Sequence, residues 1–400
     1  MNKKLVSLLL VASSVCPVVA DDFADFKIQE QKLALDYKVE AGKEFEQYKK
    51  KLNAGFKEYR KTYLEESQKY RKQMTQTWGD HKESTRDVWI NYSQNNNVRD
   101  SVNFKTGEVS VEVLVDKDTP IDVATQKAKD NVLILLATTE KQAFDNDVVA
   151  NKVENSLQQF DDIVKSIQLS DDVKVMEPLL TLVKTGSEVK LKSVAKKLTA
   201  NSQVKVREFE GKKIVRLSFN IPDNLSDKAG RYASKIVEIA KKENIPVSLV
   251  YAVMETESNF NPRAKSFVPA YGLMQIVPVS AGQDATKYLF GKAKILAPSY
   301  LYNSNKNIEI GGAYLHILYH RYLRKVENKT SRLFCAIAAY NTGAGNVAKS
   351  FIGTYNITKA SKKINQLTSQ QVYANLRSNL PHKETRDYIK RVVARMEKYQ

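Results

Sequence analysis

The sequence predicts an α+β multidomain fold: a long N-terminal helix, an accessory α+β domain on an antiparallel sheet, and a mainly α C-terminal domain. Three observations carry this. Residues 22–78 are charged, without proline and almost without glycine; two stretches, residues 95–116 and 204–221, switch to period-two alternation; and from residue 226 almost every segment has helical spacing. At 400 residues the chain also exceeds what one hydrophobic core usually serves, so two or three domains are expected.

The opening "MNKKLVSLLLVASSVCPVVADD" has a basic start at Lys3 and Lys4, an apolar run over residues 5–11 and small residues up to Ala20. That layout predicts a signal peptide over residues 1–20 and a mature protein that is soluble and exported, for instance to the periplasm. Cys16 invites an outer-membrane lipoprotein reading, but Val15 stands where a lipobox wants a small residue, so the cleaved signal is preferred. Cys335 is then the sole cysteine, which excludes an intramolecular disulfide, and "LFCAIAAY" around it reads as a buried core segment.

Residues 21–80 form an amphipathic helical extension. Phe45, Leu52, Phe56, Tyr59, Tyr63 and Tyr70 recur at spacings of seven, four and three, which places them on one stripe. Such a helix packs on the next domain or on a second copy of itself as a short coiled coil, and self-association or a protein partner through it is one expectation. Residues 81–222 form the accessory domain. Val109, Val111, Val113 and Val115 face one way after a hairpin turn at Lys105-Thr106-Gly107, and Val215, Leu217 and Phe219 do so after a turn at Glu210-Gly211-Lys212. Helical stretches such as "IDVATQKAKDNVLILLATTEKQAF" lie between, and no catalytic constellation is visible there. Pro222 ends the pattern, Ser226 is placed to cap the next helix, and residues 223–400 form the mainly α domain.

The formal charge of +18 falls to +16 once Lys3 and Lys4 leave with the signal. A basic exported protein can meet anionic lipid, nucleic acid or an acidic wall polymer. No nucleic-acid module is recognised, and the wall polymer is the partner that fits export.

In "IPVSLVYAVMETES", Leu249, Val250, Val253 and Met254 mark the buried face of a helix beginning at Pro246, and the same spacing reaches Glu257. Glu255 lies about 200° around the helix, at roughly 100° per residue, so only Glu257 is aimed inward. A carboxyl among apolar groups is costly to ionise and holds a proton near neutral pH, as a general acid for glycosidic cleavage must. On the helix alone, a buried glutamate bonded to an amide or paired with an arginine is an equal reading.

Further motifs change that balance. "TESNFNPRAKS", "AYGLMQIVPVSAG", "NIEIGGAYL", "AAYNTGAGNV" and "ETRDYIKRV" resemble, in order and spacing, those of the lytic transglycosylases, which share the goose-type lysozyme fold. The resemblance covers residues 226–400, and the α+β segment before it is also similar to the N-terminal domain of a family member. It implies peptidoglycan glycan strands as substrate, no metal or organic cofactor, and Glu257, followed by Ser258, as the single catalytic acid. It implies Gln275 in the cleft, with Met274 and Leu273 shaping its loop, Tyr340 and Asn341 beside the glutamate, and Ser266 and Glu384 at the cleft. Gly272, Gly343 and Gly345 suit close approach of backbone to a bulky polymer. The implied reaction is non-hydrolytic: Glu257 protonates the leaving oxygen, the sugar's N-acetyl group stands in for the second carboxylate, and the muramyl C6 hydroxyl closes a 1,6-anhydro ring.

Pro269 and Tyr271 depart from the family, whose members carry small residues there, so a differently shaped loop is expected. The helical extension also looks unlike the family member that the α+β segment resembles. His316 and His320 stand one turn apart, a spacing zinc can use, but no third ligand is near in sequence and a structural role is preferred. Two alternatives stay open: a lysozyme-type hydrolase, and a wall-binding or assembly protein with an idle site.

Overall fold

The computed structural model describes residues 20–167, 179–180, 188–222, 228–266 and 270–400, with side chains of the first helix described from residue 42. The signal segment through residue 19, Ser226 and Pro269 lie outside the described residues. The chain divides into two compact units, Met1–Ala54 and Gly55–Gln400. Helix α1 (Ala20–Trp78) enters both, and in the first unit it presents Phe45 to solvent.

In the second unit the period-two segments form strands β1 (Val88–Ser93), β2 (Val98–Asn103) and β3 (Glu108–Asp116). Helices α2 (Ile121–Ala137), α3 (Glu140–Asp145) and α4 (Val148–Ser156), the short strand β4 (Val164–Lys165) and helix α5 (Glu188–Ala200) come next, before β5 (Gln203–Phe209) and β6 (Lys212–Asn220). The sheet order is β1-β2-β3-β6-β5, antiparallel throughout, with Val111 opposite Leu217 and Val113 opposite Val215. The β5–β6 turn consists of Glu210 and Gly211, both with positive φ, which matches the twist of the flanking strands.

Val109, Val111 and Val113 of β3 and Val215, Leu217 and Phe219 of β6 bury one sheet face against α2 and α5. The other face receives the end of α1: Met74 and Trp78 pack on Tyr92, Leu114 and Ile214. Arg99 of β2 is fully buried there. Its Nε donates to Glu112 at 2.7 Å and its Nη1 to Asp80 at 2.8 Å, while the guanidinium lies 4.6 Å from the Trp78 ring centre. A buried guanidinium is tolerated because its charge and its donors are both matched.

The rest of the chain is mainly helical: α6 (Ala233–Glu243), α7 (Val247–Ser258), α8 (Ala281–Phe290), the short strand β7 (Ile295–Leu296), α9 (Pro298–Tyr302) and α10 (Ser304–His316). After a π-helical turn over Ile317–Tyr322 come α11 (Lys329–Thr342), α12 (Ala344–Ile352), α13 (Ile357–Ile364), α14 (Ser369–Asn379) and α15 (Lys383–Lys398). The histidine pair has a structural task at this point of the chain. His316 Nδ1 lies 2.9 Å from the Glu243 carbonyl and His320 Nε2 lies 2.9 Å from the Asn244 carbonyl, so the two rings cap the end of α6. Cys335 is buried in α11, which pushes its thiol up to about 12.

The sheet region and the helical region are joined by polar contacts as well as packing. Strand β4 pairs in parallel with β7. Glu154 of α4 accepts from the Ser299 backbone N–H at 2.8 Å and hydroxyl at 2.6 Å, at the start of α9. Glu140 of α3 accepts from the Ser304 hydroxyl at 2.7 Å, at the start of α10, and pairs with Arg231 at 3.1 Å. Each carboxylate serves backbone or hydroxyl donors at a helix start that the helix itself leaves unmatched.

Helix α1 docks on the loop that carries the family motif. Tyr271 is almost wholly buried, edge-on to Tyr59 of α1 at 6.3 Å and to Tyr302 of α9 at 5.2 Å. Lys265 lies 4.8 Å over the Tyr63 ring. Tyr271 is therefore the seat for the end of the helical extension, and Phe56, Tyr59 and Tyr63 of the apolar stripe pack on their own chain. Replacing Tyr271 by alanine empties this seat and is expected to cost about 3–5 kcal/mol. A lowered Tm with faster protease cleavage within residues 55–78 is the expected result; an unchanged Tm would contradict the docking role.

Candidate active site

Helix α7 places the central carboxyl. Leu249, Val250, Val253 and Met254 are fully buried, and Glu257, on the same phase, is 6% exposed. The helix ends at once: Asn259 and Phe260 both adopt positive φ, and the Asn259 N–H returns to the Glu255 carbonyl at 3.1 Å. Glu255 points away and holds the C-terminus, accepting from Tyr399 Oη at 2.7 Å and Lys398 Nζ at 3.1 Å. The two glutamates of one short motif thus have separate tasks. Ser258 faces inward, with its hydroxyl 2.8 Å from the Leu273 carbonyl, and so ties the end of α7 to the next loop.

That loop, residues 270–276, is fastened by Asn307 at the start of α10. Asn307 Oδ1 accepts from the Met274 N–H at 2.8 Å, and its Nδ2 donates to the carbonyls of Tyr271 and Leu301, each at 2.8 Å. Gly272 has φ +72°, and a Cβ there would lie 2.5 Å from Asn307 Nδ2, so the close approach excludes a side chain. Gln275, 8% exposed and also at positive φ, donates through Nε2 to the Gly272 carbonyl at 3.1 Å, while its buried Oε1 has no partner among the described residues. Met274 is fully buried and contributes its backbone: its carbonyl accepts from Tyr340 Oη at 2.8 Å.

Tyr340 belongs to α11 and lies beside Glu257; burial, and after it the Glu257 charge, push the phenol well above its ordinary range. Its hydroxyl goes to the Met274 carbonyl here. Asn341 accepts from the Thr385 hydroxyl at 2.6 Å, which ties α11 to α15. Ser266 closes the neck of the segment 267–269, its Oγ accepting from the Ala270 N–H at 3.2 Å and its own N–H donating to the Ala270 carbonyl at 3.2 Å. Glu384, at the start of α15, is 63% exposed and meets Arg86 Nη1 at 3.3 Å.

Two residues absent from the sequence-based site complete the group. Tyr388 is fully buried on α15, one turn after Glu384, and its hydroxyl faces Glu257, where it favours the carboxylate. Arg86 reaches the site from the segment before β1. Tyr388 lies inside the quoted motif "ETRDYIKRV" but reads there as one more apolar position of a helix; Arg86 carries no motif at all. Asn307, too, opens a quoted motif without revealing which groups it would bind.

Burial pushes Glu257 up to about 7. Tyr388, Arg86 and Arg391 act against that rise, and the Glu384 charge reinforces it. The carboxyl is therefore half-protonated near neutral pH and can both give and take a proton. Tyr388 remains a neutral phenol, because burial and the Glu257 charge raise it well beyond reach.

A buried carboxyl thus stands beside two phenols at the end of a core helix, a group able to exchange a proton near neutral pH. Residues 234–364 match the family described as Transglycosylase SLT domain. The chain is 30% identical over 311 residues to a membrane-bound lytic murein transglycosylase C of Cronobacter sakazakii, covering 76% of this chain and 79% of that protein. It is 28% identical over 319 residues to the protein of that name in Klebsiella pneumoniae, covering 78% and 81%. Among solved structures, the 70 kDa soluble lytic transglycosylase of Escherichia coli aligns with a TM-score of 0.33 at 26% identity, over 42% of this chain and 24% of that one. The chain thus spans about a quarter of that structure's length. The chain belongs to the lytic murein transglycosylase family.

The folded chain binds the Glu257 proton more tightly than an unfolded chain, where the ordinary value is 4.5. The stability this contributes is full below pH 4.5 and is lost as pH rises through about 7. Glu257→Gln, which cannot ionise, is expected to raise Tm at pH 8, with a gain on the order of a few kcal/mol that fades toward pH 4.5. Thermal melts across that range check this; a difference independent of pH would contradict it.

Proposed function

We propose that this chain is a peptidoglycan lytic transglycosylase that cleaves the β-1,4 bond between N-acetylmuramic acid and N-acetylglucosamine without consuming water. The observation that carries this reading is the isolation of Glu257. Of the groups that weigh most on it, the only other carboxylate is Glu384, which is turned to solvent and paired with Arg86. No second carboxylate among them is placed as the nucleophile or water-activating base of an ordinary glycosidase.

The reaction then runs on one acid. Protonated Glu257 gives its proton to the glycosidic oxygen, which leaves with N-acetylglucosamine, while the N-acetyl oxygen of the muramyl residue attacks the anomeric carbon. The ionised Glu257 next takes the proton of the muramyl C6 hydroxyl. O6 displaces the acetamido oxygen at the anomeric carbon, closing the 1,6-anhydro ring and restoring the protonated acid. The Tyr388 hydroxyl faces the carboxyl and supports its ionised form, and Gln275 Oε1, without a partner among the described residues, is an acceptor for a sugar hydroxyl. Ser266, Met274, Tyr340, Asn341 and Glu384 complete the proposed glycan-binding set, Met274 through its backbone.

In this reading residues 1–20 direct export to the periplasm, 21–80 form the helical extension, 81–222 the accessory domain and 223–400 the catalytic domain. Among the described residues no helix is long and apolar enough to cross a membrane. The net charge of +16 that remains once Lys3 and Lys4 leave with the signal suits an acidic wall polymer.

Mass spectrometry of the fragments released from purified peptidoglycan by the mature protein, beside Glu257→Gln, tests the proposal. Anhydromuramyl ends, lighter by one water than reducing ends and missing with the variant, are expected. Reducing ends would mean a hydrolase, and no release would favour a binding protein.

A further inference from the structure

We infer that Arg86, supplied by the sheet region, is a positioning residue for the reaction: paired with Glu384, it balances the charge around Glu257 so that this carboxyl can serve as acid and then as base. The inference rests on the reading of Glu257 as the acid–base group, and it adds a residue from outside the matched family domain.

The geometry begins with the backbone. Residues 85–87, between α1 and β1, are held to the helical region at three points. The Lys265 N–H donates to the Thr85 carbonyl at 3.3 Å, Asn261 Nδ2 to the Arg86 carbonyl at 3.2 Å, and Asn259 Nδ2 to Asp87 Oδ1 at 2.7 Å. Asn259 and Asn261 lie in the turn that directly follows Glu257. The position of Arg86 is therefore set by the same few residues that end α7.

From there the guanidinium meets Glu384 at 3.3 Å, with Arg86 33% and Glu384 63% exposed. An ion pair so open to water contributes little to stability. Its placement matters instead. Glu384 is one turn from Tyr388 on α15, and the groups that act on Glu257 are Tyr388, Glu384 and Arg391 from α15, Tyr340 from α11, and Arg86. Arg86 favours the ionised carboxyl and Glu384 the protonated one. Arg86 alone would tilt Glu257 toward the ionised form and weaken it as an acid; Glu384 alone would tilt it toward the protonated form and weaken it as the returning base. Paired, they leave both forms accessible.

The test is the pH dependence of kcat/KM on purified peptidoglycan, whose alkaline limb follows loss of the Glu257 proton. Arg86→Gln is expected to move that limb to higher pH and Glu384→Gln to lower pH, each by roughly half a unit. The double variant is expected near the wild-type position, and Arg86→Lys, which keeps the charge, likewise. A second readout needs no activity: the 13C carboxyl resonance of Glu257, identified by its loss in Glu257→Gln, must titrate with the same opposed displacements. Opposed shifts support the inference. Shifts of both single variants in one direction, or none in variants whose thermal unfolding shows them folded, overturn it. Should the chain release no anhydromuramyl products, the proposed function fails, while the carboxyl titration still decides the role of Arg86.

Discussion

The site depends on taking one carboxyl out of water. Glu257 continues the apolar phase of α7, and that phase makes its ionisation costly enough to bring it to about 7. Everything around it follows from keeping such a group both buried and reachable. The helix stops directly after it, in two left-handed residues that open the chain toward the site. Tyr388 approaches without bonding elsewhere, and Tyr340 is steadied by the Met274 carbonyl. A glutamate fully satisfied by amides or by an arginine would be a structural residue; here burial outweighs the help of Tyr388, Arg86 and Arg391 and leaves the carboxyl poised to exchange a proton.

The sheet region holds this arrangement from outside. Glu140 and Glu154 latch it to the starts of α10 and α9, Asp147 pairs with Arg263 at 2.9 Å, and the segment 85–87 is pinned to the end of α7. The end of α1 closes the opposite face of the sheet and also seats Tyr59 on Tyr271. Helix, sheet and motif loop therefore share contacts, which is why residues 55–400 form one compact unit.

The sequence made much of this legible because its signals were periodic or clustered. Alternation at Val109, Val111 and Val113 showed a half-buried strand, and Glu210-Gly211 showed the turn that follows β5. The inward phase of Glu257 separates it from Glu255 in the sequence alone. Tyr388 was not legible, since on an amphipathic helix a phenol that serves a carboxyl and a phenol that fills a core have the same spacing. Arg86 was hidden by distance along the chain, and the role of Asn307 by the fact that it binds backbone, which leaves no chemical signature in a motif. Tyr271 stood out as a departure, but only the fold reveals that its partner is Tyr59.

The most direct test of the account is the protonation state of Glu257 itself. Infrared difference spectra between pH 6 and pH 8, taken on protein carrying 13C-labelled glutamate and compared with Glu257→Gln, isolate its carboxyl stretch. A protonated acid band that converts to carboxylate with a midpoint near 7, and that the variant lacks, is the result expected. A Glu257 carboxylate already ionised at pH 6, with no such band, would contradict the claim that burial holds the acid ready.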